Sequence, residues 1–539
     1  MKARLKAIVL GSFTRGILAL AQGGEVMGRT YADRVNSEQA LGPGASADPV
    51  DPAESTAHDE HAGHKIVRGG IWRTGAFVFT SVLGVIALSI VSRTLGPSEF
   101  SIFVTIISII TVASVLSDIG LVQLGVREFS VNEPGERDRT QRALLTMRLV
   151  LSGVAALVMV AFVAYRGYSG SVMAGTLAAG IGLCGLAMQY ANTVPLHAVY
   201  ALRSIAIIEV ARQFLYAVLT IIAAVVTGEV AVVIAVYLPL GLAMAVMSGM
   251  MARRITSIRP SWDPPAMRRL LGMVGVFALA GTIGAIYPYI AQVATDAVME
   301  PFESGLFGLS FRAYVVAVGA GLVAISGAFP LLVVSSREDR KRFRNAVRRM
   351  IQASALLGAG LSAGLSAGAE FAVSLLGGKE FEGAAQSMSV IAWTTPASFI
   401  LITGSSTLLA AGRNRPLIAV SIIGSSLSAA LTVALAAAEG PTGAAAGILV
   451  GEALIAAGYV LAIRSGDLEA CPRARWWGGW LLAIGAGLAV QLVPVPSLVS
   501  ALLAGGTYTV VVFAARLVPP ELLRPRQMLS GRPPEPAGG

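Results

Sequence analysis

PSEFSIF (residues 97–103) and PFESGLF (residues 301–307) are the two stretches on which the reading of this chain turns. Each is a short charged turn between two long apolar runs. They share a Pro, a Glu two positions on, then a small residue, an aliphatic residue and a Phe, and they lie 204 residues apart. A turn that recurs at such a distance signals an internal repeat, and a repeat has to be recognised before the fold can be.

The apolar runs on either side set the solvent. The 539 residues are 55% hydrophobic and 13% charged, with a mean hydropathy of +0.71. A soluble protein carries about 25% charged residues. No water-soluble core could hide this much apolar surface behind so little polar surface. The expected class is an all-α integral membrane protein. Cys184 and Cys471 form neither a disulfide framework nor a metal-ligand spacing. With 36 Arg against five Lys, and abundant Ala and Gly, the composition hints at a GC-rich bacterial genome.

A helix needs about 20 mostly apolar residues to cross the hydrocarbon layer. Fourteen segments satisfy this, near 74–92, 101–121, 144–165, 171–192, 205–226, 229–251, 270–290 and 310–334, then 350–375, 385–411, 416–437, 443–463, 476–495 and 497–518. Loop charge tests the count independently, because cytoplasmic loops are enriched in Lys and Arg. The even-numbered connections hold 22 such residues, and the odd-numbered ones hold Arg93, Arg166 and Lys379. One missed or invented span would scramble the alternation downstream of the error. The pattern puts both termini on the cytoplasmic side.

On this count PSEFSIF lies in the outer turn between spans 1 and 2, and PFESGLF in the outer turn between spans 7 and 8. VYALRS (199–204) after span 4 and LAAGRN (409–414) after span 10 repeat the same offset. A six-span offset preserves orientation, so the halves are expected to be parallel repeats about an axis along the membrane normal. The expected organisation is a cytoplasmic tail (1–70), an N-lobe of spans 1–6 (71–251), a C-lobe of spans 7–12 (252–437 and 438–465), spans 13–14 (466–518) and a second cytoplasmic tail (519–539). Two six-span lobes plus a pair is a transporter plan, with the substrate between the lobes.

SRTLGPSEFSIF (92–103) followed by SDIGLVQLGVRE (117–128) resembles the opening hairpin of bacterial polysaccharide flippases. These belong to the multidrug/oligosaccharidyl-lipid/polysaccharide exporter superfamily. TDAVMEPFESGLFGLSFRAY (295–314) resembles that family's turn between spans 7 and 8, with Asp296 at its acidic position. GAFPLL (327–332) and PTGAAAGILVGE (441–452) are similar to its span 8 and span 12 signatures. The turn departs from the family pattern at Ser101 and Phe103, which replace Gly and Tyr. The resemblance implies flipping of a polyprenyl-diphosphate-linked oligosaccharide from the inner to the outer leaflet of a bacterial plasma membrane. Polysaccharide-assembly proteins are then expected partners, alongside membrane lipids; nucleic acid is not. No cofactor is implied beyond an H+ or Na+ gradient.

A diphosphate requires fixed cations, and Arg offers a planar fork that Lys does not. Charged residues within spans are expensive and are therefore functional candidates. Arg148 in span 3 and Arg212 in span 5 could each hold the diphosphate, or snorkel to the inner headgroups. Glu209, three residues before Arg212, offers a local ion pair. Arg312 opens span 8 and is a third binding candidate, or else pairs with Asp296 across the outer turn. Asp118 is expected to cap or turn the chain. Glu452, mid-span with no local cation, either couples flipping to an ion gradient, as Asp296 also could, or hydrogen-bonds another helix beside Gly447-xxx-Gly451. Pro239, Pro288, Pro330 and Pro396 permit kinks, static or mobile. The basic run at 336–350 fits both positive-inside topology and attraction of anionic lipid.

The first residues have signal-like features, but Arg15 interrupts the apolar stretch. A cytoplasmic tail, disordered over 30–64, is the expectation. His58, His61 and His64 within it suit either metal binding or a solvated tail. No hydrolytic triad or phosphate loop appears, and the longest outer connection, 291–309, is short for a polytopic glycan polymerase or ligase. Within transporters, the alternatives are a peptidoglycan lipid-precursor flippase and a cation-coupled multidrug antiporter.

Overall fold

The computed structural model describes residues 52–273, 276–326, 332, 340–466 and 471–518. The expected tails at 1–51 and 519–539, Pro330 with residues 327–331 and the start of the basic run at 336–339 lie outside the described residues, as do the side chains of His58, His61 and His64.

All described regular structure is helical. The first half comprises α1 (Pro52–Asp118), α2 (Leu121–Val131), α3 (Pro134–Tyr165), α4 (Gly170–Ala198), α5 (Leu202–Thr227), α6 (Val230–Ala235) and α7 (Tyr237–Ala252). After α8 (Pro264–Met273) the second half comprises α9 (Val276–Thr295), α10 (Pro301–Ser326), α11 (Arg340–Ala367), α12 (Ala369–Leu376), α13 (Ala384–Ala392), α14 (Thr394–Ala410) and α15 (Asn414–Gly466). Two further helices follow, α16 (Ala474–Ala489) and α17 (Ser497–Ala514).

Among the described residues nine helical stretches are long and apolar enough to cross a membrane, two of them 53 residues long: Phe79–Val131, which runs through α1 and α2, and Asn414–Gly466. At 1.5 Å per residue, 53 residues run to about 80 Å, far beyond a bilayer core of about 30 Å. Both contain a break, at Gly96 (φ 70°) and at Glu439–Gly440 (Gly440 φ 60°). Each break is a Gly-Pro step: glycine takes the positive φ and proline starts the next helix. The protein is thus a multi-pass membrane protein with the fourteen-span, two-repeat architecture that the apolar runs predict.

Several boundaries differ from expectation, each for a local reason. The helix carrying span 1 begins at Pro52, inside the stretch expected to be disordered. Span 8 begins at Pro301 rather than 310, because proline suits the first turn and Glu303 there opposes the helix dipole. Span 6 divides after Ala235 and span 10 after Ala392. These are the residues four before Pro239 and Pro396, whose missing N–H cannot close the ladder. At the second break the freed Ala392 carbonyl accepts the Ser362 hydroxyl at 2.6 Å, a static repair from a neighbouring helix.

The connection between the halves is not a slack loop. Ser261 and Thr146 exchange hydrogen bonds at 2.9 Å each, and Arg139 grips Asp263 at 2.5 and 3.2 Å. Arg139, chiefly through that bond, holds the Asp263 carboxyl below the usual carboxylate range. Arg269 reaches Glu128 at 3.0 Å and Glu136 at 3.2 Å. Leu270 is buried among Leu121, Phe129, Leu144 and Val194. Residues 255–270 therefore belong to the first half, at the end predicted to face the cytoplasm. At the other end of the chain, α16 and α17 pack on α11, with Trp480 Nε1 and the Tyr508 hydroxyl donating to the Ala355 and Leu356 carbonyls.

Candidate functional site

The two echoed turns meet. A Cβ on Gly305 would run into the Pro97 backbone, and one on Gly308 would press on the Val104 side chain. Span 2 of the first half and span 8 of the second thus pack together at their outer ends. Phe100 and Phe381 add an edge-on contact at 5.5 Å between centroids. Ser89, Ser92 and Arg93 donate to the carbonyls of residues 374–376 at 2.6–2.9 Å. These contacts join the two halves at the end that the loop charges predict to face outward, called the outer side below.

Beneath this seal lie the candidate cations. Arg312 is eleven residues past Pro301, about 16 Å along α10. The early start of the helix thus moves it from the expected outer mouth to the middle of the span. Its guanidinium crosses between the halves, donating to the Val104 carbonyl at 3.1 Å and to Ser108 Oγ at 3.4 Å. The expected pair with Asp296 does not form: other donors occupy that carboxylate, and Arg312 sits too deep. Among the described residues no carboxylate pairs with Arg312, and its buried Nε has no partner.

Arg212 is ten residues into α5 from the inner side, about 15 Å by rise, so it too lies near mid-span. It pairs with Glu209 as expected from the spacing. Only 17% of the most apolar stretch of α5 is buried, so most of that stretch is left uncovered by the rest of the chain. Arg148 does not snorkel. It is 1% exposed, pairs with Asp118 and lies over the Tyr190 ring at 5.5 Å. A carboxylate and an aromatic face within reach hold it more firmly than stretching to headgroups could. Asp118 also accepts from the Val122 N–H at 3.3 Å, the turn role expected of it.

Tyrosines connect the three arginines. Tyr190 interacts electrostatically with both Arg148 and Arg212. Tyr216 and Tyr237, with ring centroids 5.5 Å apart, both feel Arg212 and Arg312. Tyr289 of α9 feels Arg312 as well. Residues from spans 2, 3, 4, 5, 6, 7 and 8 are therefore brought into one cationic, phenol-lined region. Sequence reasoning missed these tyrosines; the available signal was their occurrence within apolar spans, with Tyr216 one helical turn beyond Arg212.

The two carboxylate candidates lie apart from this region. Asp296, 6% exposed, accepts from Arg166 and Tyr168 of the first half at 3.0 Å each and from Ser304 at 2.7 Å. Glu452, 2% exposed, accepts from Tyr287 at 2.6 Å and from Tyr314 and Ser398. It ties spans 7, 8, 10 and 12 together, the interhelical bond foreseen as one of its two roles.

The family described as "Polysaccharide biosynthesis protein" matches residues 90–386. A search of curated sequences gives no significant match. Among solved structures, the chain is similar to the lipid II flippase MurJ in an inward closed conformation, with TM-score 0.67 at 12% identity, covering 84% of this chain and 99% of that one. It is similar also to an inward-facing multidrug resistance MATE transporter of the MOP superfamily, with TM-score 0.57, 14% identity and coverage of 74% and 98%. A MOP-superfamily transporter from Pyrococcus furiosus gives TM-score 0.52 at 15% identity, with coverage of 75% and 96%. At these identities the structures establish the fold alone. The sequence match, over more than half of the chain, establishes that this protein belongs to the polysaccharide biosynthesis protein family.

Proposed function

We propose that this protein is a flippase that moves a polyprenyl-diphosphate-linked oligosaccharide from the cytoplasmic to the outer leaflet by alternating access. The observation that carries the reading is Arg312: a mid-span guanidinium between the two halves, without a carboxylate partner and with a buried Nε left unbonded. A buried N–H without an acceptor costs about 1–3 kcal/mol. A diphosphate oxygen would remove that cost and supply the missing counter-charge. Arg212, which acts on the same Tyr216 and Tyr237 as Arg312, supplies a second fork once Glu209 yields it. The sugar occupies the polar space between the lobes while the lipid tail stays in the bilayer. The outer seal matches the state in which such a site loads from the cytoplasm, and the loop charges support a cytoplasmic position for both termini. Family membership supports a glycan headgroup.

Arg312→Lys keeps the charge and removes the fork, while Arg312→Gln removes both. A charge-assisted bond to diphosphate contributes about 1.5–3 kcal/mol, a factor of about 10–150 in affinity. The lysine variant is expected to flip at about a tenth of the wild-type rate, and the glutamine variant not measurably. The assay is leaflet sidedness of lipid-linked glycan in cells that depend on the variant. Full activity of Arg312→Gln at normal expression overturns the assignment. The sugars that accumulate on the cytoplasmic face separate an oligosaccharide carrier from a peptidoglycan precursor. Unchanged sidedness with altered dye efflux would favour a drug antiporter.

A further inference from the structure

We propose that Glu209 is a built-in competitor for the diphosphate: it holds Arg212 while the site is empty, yields it to the arriving lipid, and takes it back to release that lipid at the outer face. The inference rests on the flippase reading above and adds to it the residue that makes the site let go.

Glu209 and Arg212 stand seven and ten residues into α5, about 10 and 15 Å from its inner end. The carboxylate meets the guanidinium fork with both oxygens: Arg212 Nη2 donates to Oε1, and Nε donates to Oε2 at 3.3 Å. Glu209 thus occupies the same planar fork that a phosphate would take. Its side chain is 49% exposed, against 19% for Arg212. A carboxylate left open within a span faces water rather than lipid, where a charge is costly. The pair therefore borders a water-filled cavity. Arg212 lies there within electrostatic reach of Tyr190 and Tyr237, and Tyr237 is shared with Arg312.

Magnitudes decide which paired arginine can change hands. An ion pair open to water shifts an equilibrium by no more than about fivefold. A charge-assisted bond to diphosphate in the closed site is stronger, about 10–150-fold. The diphosphate therefore displaces Glu209 while Arg312 holds its other side. Arg148 is not exchangeable in this way: its side chain is 2% exposed, and taking Asp118 from it costs more than about a hundredfold. When the outer face opens, water weakens the contact between Arg212 and diphosphate to that of any exposed pair. Glu209 is tethered three residues away on the same helix, so its effective concentration at Arg212 stays fixed, whereas that of a departing lipid falls away. Glu209 then recovers the fork. It acts on the substrate only through Arg212 and is in that sense a positioning residue.

The test uses purified full-length protein in mixed micelles, with farnesyl diphosphate as the probe and its affinity measured by calorimetry. Glu209→Gln keeps the shape of the side chain and removes its charge. It is expected to bind the probe about two- to fivefold tighter than wild type. In cells that depend on the variant, lipid-linked glycan should nevertheless reach the outer leaflet more slowly, because release is impaired. Tighter binding with slower transport is a split that a merely structural role for Glu209 does not produce. In an Arg212→Gln background, Glu209→Gln should leave probe affinity unchanged, since no fork remains to contest. Glu209→Ala takes its place if the glutamine variant fails to fold. Unchanged or weaker affinity in a folded Glu209 variant overturns the proposal. Equal tightening in the Arg212→Gln background also overturns it, because Glu209 is then a diffuse repulsive charge. Unchanged transport by Glu209→Gln, where Arg312→Gln blocks transport, overturns the release role. Tightening that depends on Arg212, with glycan sidedness unmoved by any variant including Arg312→Gln, would instead reject the flippase reading and leave the competition for Arg212 in place.

Discussion

Replacing Glu452 separates a packing role from a coupling role. The carboxylate accepts three hydroxyls, from Tyr287, Tyr314 and Ser398, on three other spans. Interhelical hydrogen bonds within membranes contribute about 0.6 kcal/mol each on average and about 1.7 at most. Glu452→Ala removes all three at once and leaves the hydroxyls without their acceptor, so the expected loss is about 2–5 kcal/mol. Glu452→Gln keeps an acceptor oxygen in the same place and should cost about 1 kcal/mol, since only one of the two acceptor positions becomes a donor. The assay is reversible unfolding of purified protein in mixed micelles, with initial flipping rates measured with and without an imposed ion gradient. If Glu452→Ala is as stable as wild type, the hub reasoning is wrong. If Glu452→Gln is stable and flips at a gradient-independent rate, Glu452 is the coupling group as well. Retained gradient dependence confines it to packing.

The remaining predictions concern the inner ion pair and the outer seam. Asp118→Asn leaves Arg148 buried and without its counter-charge; because Asp118 is 28% exposed, the loss should be about 2–3 kcal/mol rather than the 3–5 of a dry pair. Adding Arg148→Met to it should restore most of that stability, and a double variant less stable than the single would contradict the pairing. Gly305→Ala drives a methyl into the Pro97 backbone. It should loosen the outer seam by about 1–3 kcal/mol, visible as faster labelling of a Ser101→Cys variant by a membrane-impermeant maleimide, with Cys184 and Cys471 replaced by Ser.

The architecture was legible because its causes are local or additive. Twenty apolar residues in a row suffice for a span, and loop arginines report sidedness without reference to any partner. The Glu209–Arg212 pair was legible for the same reason, being three residues apart on one helix. What escaped depends on distant segments. Asp296 and Arg166 are 130 residues apart, and nothing in either segment favours that pair over the nearer Arg312. The depth of Arg312 was misread because PFESGL reads as a loop by hydropathy and as a helix start by its Pro and Glu. Glu452 was recognisable as an anomaly, but its phenol and hydroxyl partners lie 54 to 165 residues away on spans whose apolar faces gave no sign of them.

The repeat that opened the reading also ties the outer seal to the cation site. Helix α10 carries Ser304, which bonds Asp296, then Gly305, which abuts Pro97, and then Arg312, which bonds the Val104 carbonyl. Ser304 and Arg312 are eight residues apart, about 12 Å on one continuous helix. Val104 and Pro97 are likewise on one arm of the first half. A hydrogen-bonded helix does not stretch over two turns, so the outer end of α10 cannot leave Pro97 while Arg312 keeps its place on Val104. Opening the seal and withdrawing Arg312 from the first half are, on this geometry, one movement. A diphosphate held by Arg312 from the second half and Arg212 from the first would lose its two-sided grip as the outer face opens, which is where a flippase has to let go. Gly305→Ala should accordingly weaken retention of the diphosphate as well as the seal. An opened seal with unchanged substrate affinity would mean that α10 bends between the two points and that the seal and the site move separately.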